Sequence, residues 1–144
     1  MIAKSISYED FDGNEITEKL YFNLSLPELM RLKFEGVPEG VNLGEYLEKA
    51  VQDESQRMVL YSVIEQLIVK SYGVKSEDGK RFNKSPELAE DFHNSAAFEA
   101  LFTDFLIHPD QLPGFVEGII PKGALDKLKE AEGGAGAKVL PPIK

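Results

Sequence analysis

The residues of this chain whose types and spacing could do chemistry are a pair of histidines and a scatter of carboxylates. Glu90-x-x-His93 places a carboxylate and an imidazole on one helical face, the arrangement that di-metal helical bundles use in duplicate. The other histidine, His108, has Asp104 four residues before it and no glutamate three before, so the second half of the set is missing. The simpler reading of His93 is a helix-surface histidine, and of His108, directly before Pro109, a helix C-terminal residue favoured by the dipole. Asp10-x-Asp12-Gly13-Asn14 opens like a calcium loop, but Glu15 stands where such a loop needs glycine and Tyr21 where it needs a bidentate glutamate. A turn is the better reading. The chain has no cysteine, which removes thiolate chemistry and cysteine zinc sites. Its one glycine cluster, Gly133-Gly134-Ala135-Gly136, has no preceding strand and no Lys-Ser/Thr after it, so it is not a phosphate loop. No serine sits in a recognisable nucleophile elbow. We therefore expect no metal, no cofactor and no enzymatic activity.

A formal net charge of -9 and a pI near 4.7 create a field that repels phosphate backbones and anionic headgroups. Nucleic acid is not an expected partner. The opening MIAKSISYEDF lacks the apolar core of a signal peptide, and no apolar run reaches bilayer length, so neither export nor a membrane partner is expected. That leaves the cytoplasm. At 144 residues the chain suits one domain, able to bury roughly two thirds of its unfolded surface.

Positioning elements follow from periodicity. Ile2, Lys4, Ile6 and Tyr8 share one face of an extended segment, and Ile16, Glu18, Leu20 and Phe22 share one face of another, with Asp12-Gly13-Asn14 as the turn of a hairpin. Ser25 and Glu28 form a capping box, with Leu24 and Leu29 as its hydrophobic staple, and predict a helix from Leu26 to about Phe34. Asn42 caps a second helix through about Gln52. A third, from about Ser55 to Tyr72, carries Met58, Tyr61, Ile64, Leu67, Ile68 and Tyr72, with Leu60 and Val63 widening the stripe. That breadth predicts a central helix. Gly73 is expected to end it in the left-handed conformation. Asp78-Gly79 marks a turn among Lys75, Lys80 and Arg81, with a short strand near Lys80 to Phe82. Ser85-Pro86-Glu87-Leu88 opens a fourth helix that breaks near Asn94-Ser95. Phe98, Leu101, Phe102, Phe105 and Leu106 form the stripe of a fifth, and Leu112, Phe115, Val116 and Ile119 that of a short sixth, stopped by Pro121. The expected fold is α+β and mainly α: an N-terminal β-hairpin packed on about five helices, in a domain spanning residues 1–121. Residues 122–144 have linker composition and are expected to form a flexible C-terminal tail with a transient helical turn around Ala124 to Ala131.

Two surfaces are candidates for binding. The phenylalanines of the fifth and sixth helices, Phe98, Phe102, Phe105 and Phe115, either fill the core or leave aromatic surface to anchor a partner. Lys75, Lys80, Arg81 and Lys84 form the basic cluster of an acidic chain. They are either a solvated turn or a device for orienting an acidic partner, for which Lys80 and Arg81 are the leading residues.

In their order, KSYGVKSEDGKRFNKSPELAEDF, SAAFEALFTDFL and GFVEGIIP resemble the tail assembly chaperones of long-tailed bacteriophages. The resemblance is strongest from Tyr72 to Pro121, extends loosely to the hairpin and YFNLSLPELMRL, and ends at about Pro121. It implies a protein that keeps the tape-measure protein soluble, recruits major tail-tube subunits around it in the host bacterial cytoplasm, and leaves before the tail is complete. It implies no covalent chemistry, and the chain could act as a homo-oligomer. Contact with those partners is expected to be mostly apolar. The other classes compatible with the sequence are a virion structural protein, such as a head-tail connector or tail completion protein, and a host-directed protein-binding adaptor.

Overall fold

A computed structural model of the protein describes residues 1–38 and 43–120. Strands β1 (Ile2–Glu9) and β2 (Glu15–Phe22) form the hairpin, paired without interruption from Ile2↔Phe22 to Glu9↔Glu15. Its turn is built by Asp10. The Asp10 carboxylate accepts from the backbone of Asp12 and Asn14, and its carbonyl accepts from Gly13, which adopts a φ of 85° that only glycine takes without strain. The Asp10 to Asn14 segment is therefore a hydrogen-bonded turn, as its residue types predict.

The chain then leaves the sheet for α1 (Leu26–Arg31), α2 (Leu43–Val51) and α3 (Arg57–Ser71). It returns as β3 (Tyr72–Lys75) beside β2 and β4 (Phe82–Asn83) beside β3. The result is a four-stranded antiparallel sheet in the order β1-β2-β3-β4. Helices α4 (Pro86–His93), α5 (Ala96–Ile107) and α6 (Leu112–Ile119) follow. α5 packs on β1 and α4 on β3, while α3 touches α2, α4, α5 and α6. The fold is thus α+β and mainly α, with α3 central. The expected tail at residues 122–144, its turn around Ala124 to Ala131, the Pro121 stop and the Asn42 cap lie outside the described residues.

The caps of α1 and α4 act as read from the sequence. Ser25 Oγ accepts from the Glu28 N–H and the Glu28 carboxylate accepts from the Ser25 N–H. Ser85 caps α4 through the Leu88 N–H, and Ser95, after the break at Asn94, caps α5 through the Phe98 N–H. Three boundaries differ from expectation. α1 stops at Arg31, because Leu32 turns extended, and Leu32, Phe34 and Val37 pack inward from a run that closes in a turn, the Val37 N–H donating to the Phe34 carbonyl. Gly36, at φ 87°, lets that run approach the Val59 side chain, where a Cβ would stand 2.9 Å away. α3 ends one residue early, since Tyr72 joins the sheet opposite Phe22. Its buried stripe is Leu60, Val63, Ile64, Leu67, Ile68 and Ser71, while Met58 lies at its exposed start. Gly73 is not a left-handed cap. It is a strand residue, and the ring of Phe82 lies so close above it that a Cβ would meet ring carbons at 2.5–2.9 Å.

Candidate partner-binding surface

The phenylalanines of α5 and α6 turn mostly inward. Phe98, Phe105 and Phe115 are buried, Phe105 completely. They continue an aromatic chain through the middle of the molecule. Phe105 meets Phe115 at 4.9 Å, Phe115 meets Phe22 at 5.5 Å and Phe22 meets Phe92 at 5.9 Å. Phe92 meets Phe98 edge-on at 5.6 Å and stacks on Tyr72 at 4.1 Å. Offset and edge-to-face pairs of this kind add about 0.5–1.5 kcal/mol each beyond the burial of area. Phe102 stands at the outer end of the chain, stacked on Phe98 at 5.4 Å and half-buried. Of the four phenylalanines singled out in the sequence, it is the one that keeps an open flank.

The basic cluster divides in the same way. Lys84 is held inside the fold: its Nζ donates to the Glu28 carboxylate at 2.8 and 2.9 Å and to the carbonyls of Asn23 at 2.7 Å and Lys70 at 3.0 Å. It ties the exit of β2 and the start of α1 to the end of α3. Burial raises the Glu28 carboxyl, but the bonds from Lys84 and Ser25 outweigh it and hold the group below its ordinary value of 4.5. Lys75, Lys80 and Arg81, by contrast, are exposed on the hairpin that joins β3 to β4.

That hairpin is rigidly made. The Ser76 N–H donates to the Arg81 carbonyl, and the Gly79 N–H to the Ser76 carbonyl, with Gly79 at φ 76°. Asp78 accepts from the Ser76 hydroxyl at 2.7 Å and the Lys80 N–H at 3.0 Å. These bonds, the Lys80 amide first, hold its carboxyl below the ordinary range. The concave side of the hairpin is lined by Lys75, Ser76, Glu77, Asp78, Arg81 and Asn83.

Beside it lie two aromatic residues that the sequence reading did not single out. Tyr21 pairs with Gly73, and Phe82 with Lys75, so both belong to the sheet face turned away from the helices. Lys75 Nζ lies 5.7 Å from the Tyr21 ring, and Lys84 Nζ lies 5.8 Å from the Phe82 ring. Tyr21, Lys75 and Phe82 thus share one mixed aromatic and cationic face, while Arg81, one residue before Phe82, lines the concave side of the hairpin with Lys75. Tyr21 was legible as the residue between inward-facing Leu20 and Phe22. Phe82 was hidden because it reaches this face only once β4 pairs with β3.

The histidine candidates resolve simply. His93 Nε2 lies 2.7 Å from a carboxylate oxygen of Glu65 on α3, not from Glu90, and both side chains are more than two-fifths exposed. His108 is the C-cap residue that follows α5, its N–H donating to the Asp104 carbonyl. Among the described residues no group of three or more His, Asp or Glu side chains could hold a metal. No helix there is long and apolar enough to cross a membrane.

A family model of phage tail assembly chaperones matches residues 1–140. The likeness therefore continues past Pro121, where the sequence reading ended it. No curated protein and no solved structure matches the chain.

Proposed function

Since the chain belongs to the phage tail assembly chaperones, we propose that it binds the tape-measure protein and brings major tail-tube subunits to it in the host bacterial cytoplasm, then leaves before the virion is complete. The observation that carries this reading is the family match over nearly the whole chain. The face of Tyr21, Lys75 and Phe82, with the exposed Lys80 and Arg81 of the same hairpin, supports it, since there a strongly acidic chain offers cations beside aromatic rings. Because Phe98, Phe105 and Phe115 are committed to the core, the contact is proposed to rest on this patch, with Phe102 a secondary anchor. This revises the expectation of a mostly apolar contact. Cations at a rim speed and orient encounter with acidic segments, and neighbouring rings supply desolvated area.

Co-expression with the adjacent tape-measure and tail-tube proteins, followed by affinity capture, should recover at least one of them with this chain. Purified virions should lack it. Recovery of neither protein overturns the reading, and stoichiometric presence in virions favours a structural component instead.

A further inference from the structure

β1 is an edge strand that nothing among the described residues pairs with on its outer side. Its ladder to β2 fixes which backbone groups are free. The Asp10 N–H donates to the Asn14 carbonyl, and in an antiparallel pair such bonded positions recur at every second residue. Tyr8, Ile6, Lys4 and Ile2 are therefore the residues bonded to β2. The amides and carbonyls of Ala3, Ser5, Ser7 and Glu9 point away from it, and their side chains are exposed. Long, regular edges invite pairing, and proteins ordinarily break them with proline, bulges or inward charges. β1 has no proline and no bulge over its eight residues.

We propose that this edge pairs antiparallel with β1 of a second copy of the chain, about a two-fold axis passing Ile6, so that two four-stranded sheets become one. Three features of the strand fit that occupant. The first is symmetry of exposed apolar surface. Met1 and Phe11, 52% and 78% exposed, stand equally far from Ile6 at opposite ends of the strand, so the two-fold brings Phe11 of each copy toward Met1 of the other. The second is size, since the same register sets Ser5 against the partner's Ser7 and Ala3 against the partner's Glu9, and small side chains there leave the edge open. The third is charge. Glu9, Asp10, Asp12 and Glu15 crowd the turn end, whereas Lys4 and Lys19 lie toward the other, so an antiparallel copy brings unlike ends together and a parallel one would stack the carboxylates. Lys4 is the inward charge that would normally guard an edge. In this register it faces the partner's Tyr8, whose hydroxyl is bonded to Glu18, so a cation approaches an aromatic ring and a carboxylate. The pairing is isologous and closes on itself, giving a dimer and not a fibre.

The inference does not rest on the partner reading above. Its test is sedimentation and amide exchange on the intact chain at several concentrations. A dimer is expected, with the Ser5 and Ser7 amides protected more strongly as concentration rises. Ser7→Pro removes an outward donor while leaving the backbone bonds to β2 in place, losing there only the hydroxyl contact with Thr17, and should weaken dimerisation about 100-fold or more. Phe11→Ser alters a side chain that is 78% exposed in the single copy and should also weaken it, with the unfolding midpoint unchanged at concentrations where the chain is monomeric. A monomer at all concentrations overturns the proposal, as does a dimer indifferent to both variants. Protection of Ser5 and Ser7 that is independent of concentration would assign the edge to the chain's own remaining residues and overturn it too.

Discussion

α5 and the β3-to-β4 hairpin use their most distinctive residues in opposite ways. The helix carries the richer aromatic stripe, and it turns Phe98, Leu101 and Phe105 into the core. The hairpin carries few apolar residues, and it holds Lys75, Lys80 and Arg81 in solvent on a turn fixed by Ser76 and Asp78. Residue type alone made both into candidate partner surfaces. Their difference is one of commitment: a side chain already satisfied by core contacts has little free energy to gain from a partner, whereas exposed cations beside half-buried rings do.

The sharpest way to break that contrast is truncation along α5. Phe105→Ala should cost about 3–5 kcal/mol, the price of a cavity at a fully buried aromatic site. Phe102→Ala, on the open flank, should cost only about 1–2 kcal/mol, because part of its area is never removed from water. Chemical denaturation of both checks this, and equal losses would place Phe102 in the core with Phe105. Next in size is the close approach of β3 and Phe82. Gly73→Ala should cost about 1–3 kcal/mol by driving the Phe82 ring off the sheet. In a double-mutant cycle most of that loss should vanish when Phe82 is also alanine. Additive losses would show that the ring is not what Gly73 accommodates.

A smaller effect tests whether Lys84 belongs to the fold and not to the binding patch. Lys84→Met should lower stability by about 1–2 kcal/mol through loss of its bonds to Glu28 and the two carbonyls. The sign of its pH dependence follows from Glu28. A carboxyl held below its ordinary value of 4.5 favours folding above that value, and the contribution fades as the pH falls through the lower, folded-state value. The gap between wild type and Lys84→Met should thus narrow on acidification below the ordinary value of 4.5. A gap undiminished by acidification would show that the carbonyl bonds, not the ion pair, carry the effect.

Much of this fold is legible in the sequence because its signals are local. Ser25, Ser85 and Ser95 cap helices through their own neighbours, and Asp10 closes its turn with amides at most four residues away. What escaped reading depends on pairing between distant segments. Gly73 looks like a helix terminator, and only the return of β4 shows that its missing side chain makes room for Phe82. Leu32 and Phe34 continue an apolar spacing that suits α1, yet they alternate with Lys33 and Glu35, and burial against the core resolves the ambiguity toward extended chain. Lys84 reads as one more surface lysine until Asn23, Glu28 and Lys70 converge on it. For the candidate surface, charge was visible and accessibility was not.

The most direct test of the central claim is the affinity of the chain for the tape-measure protein proposed as its partner across a salt series, for wild type, Lys75→Glu/Arg81→Glu and Phe102→Ala. Charge reversal on exposed hairpin residues should move stability by no more than about 0.5 kcal/mol. The account predicts that wild-type affinity falls as salt screens the hairpin, that the double charge reversal abolishes most of the binding at low salt, and that Phe102→Ala has the lesser effect. A complex indifferent to salt and to the charge reversal, yet lost with Phe102, would place the partner surface on α5 and contradict the account.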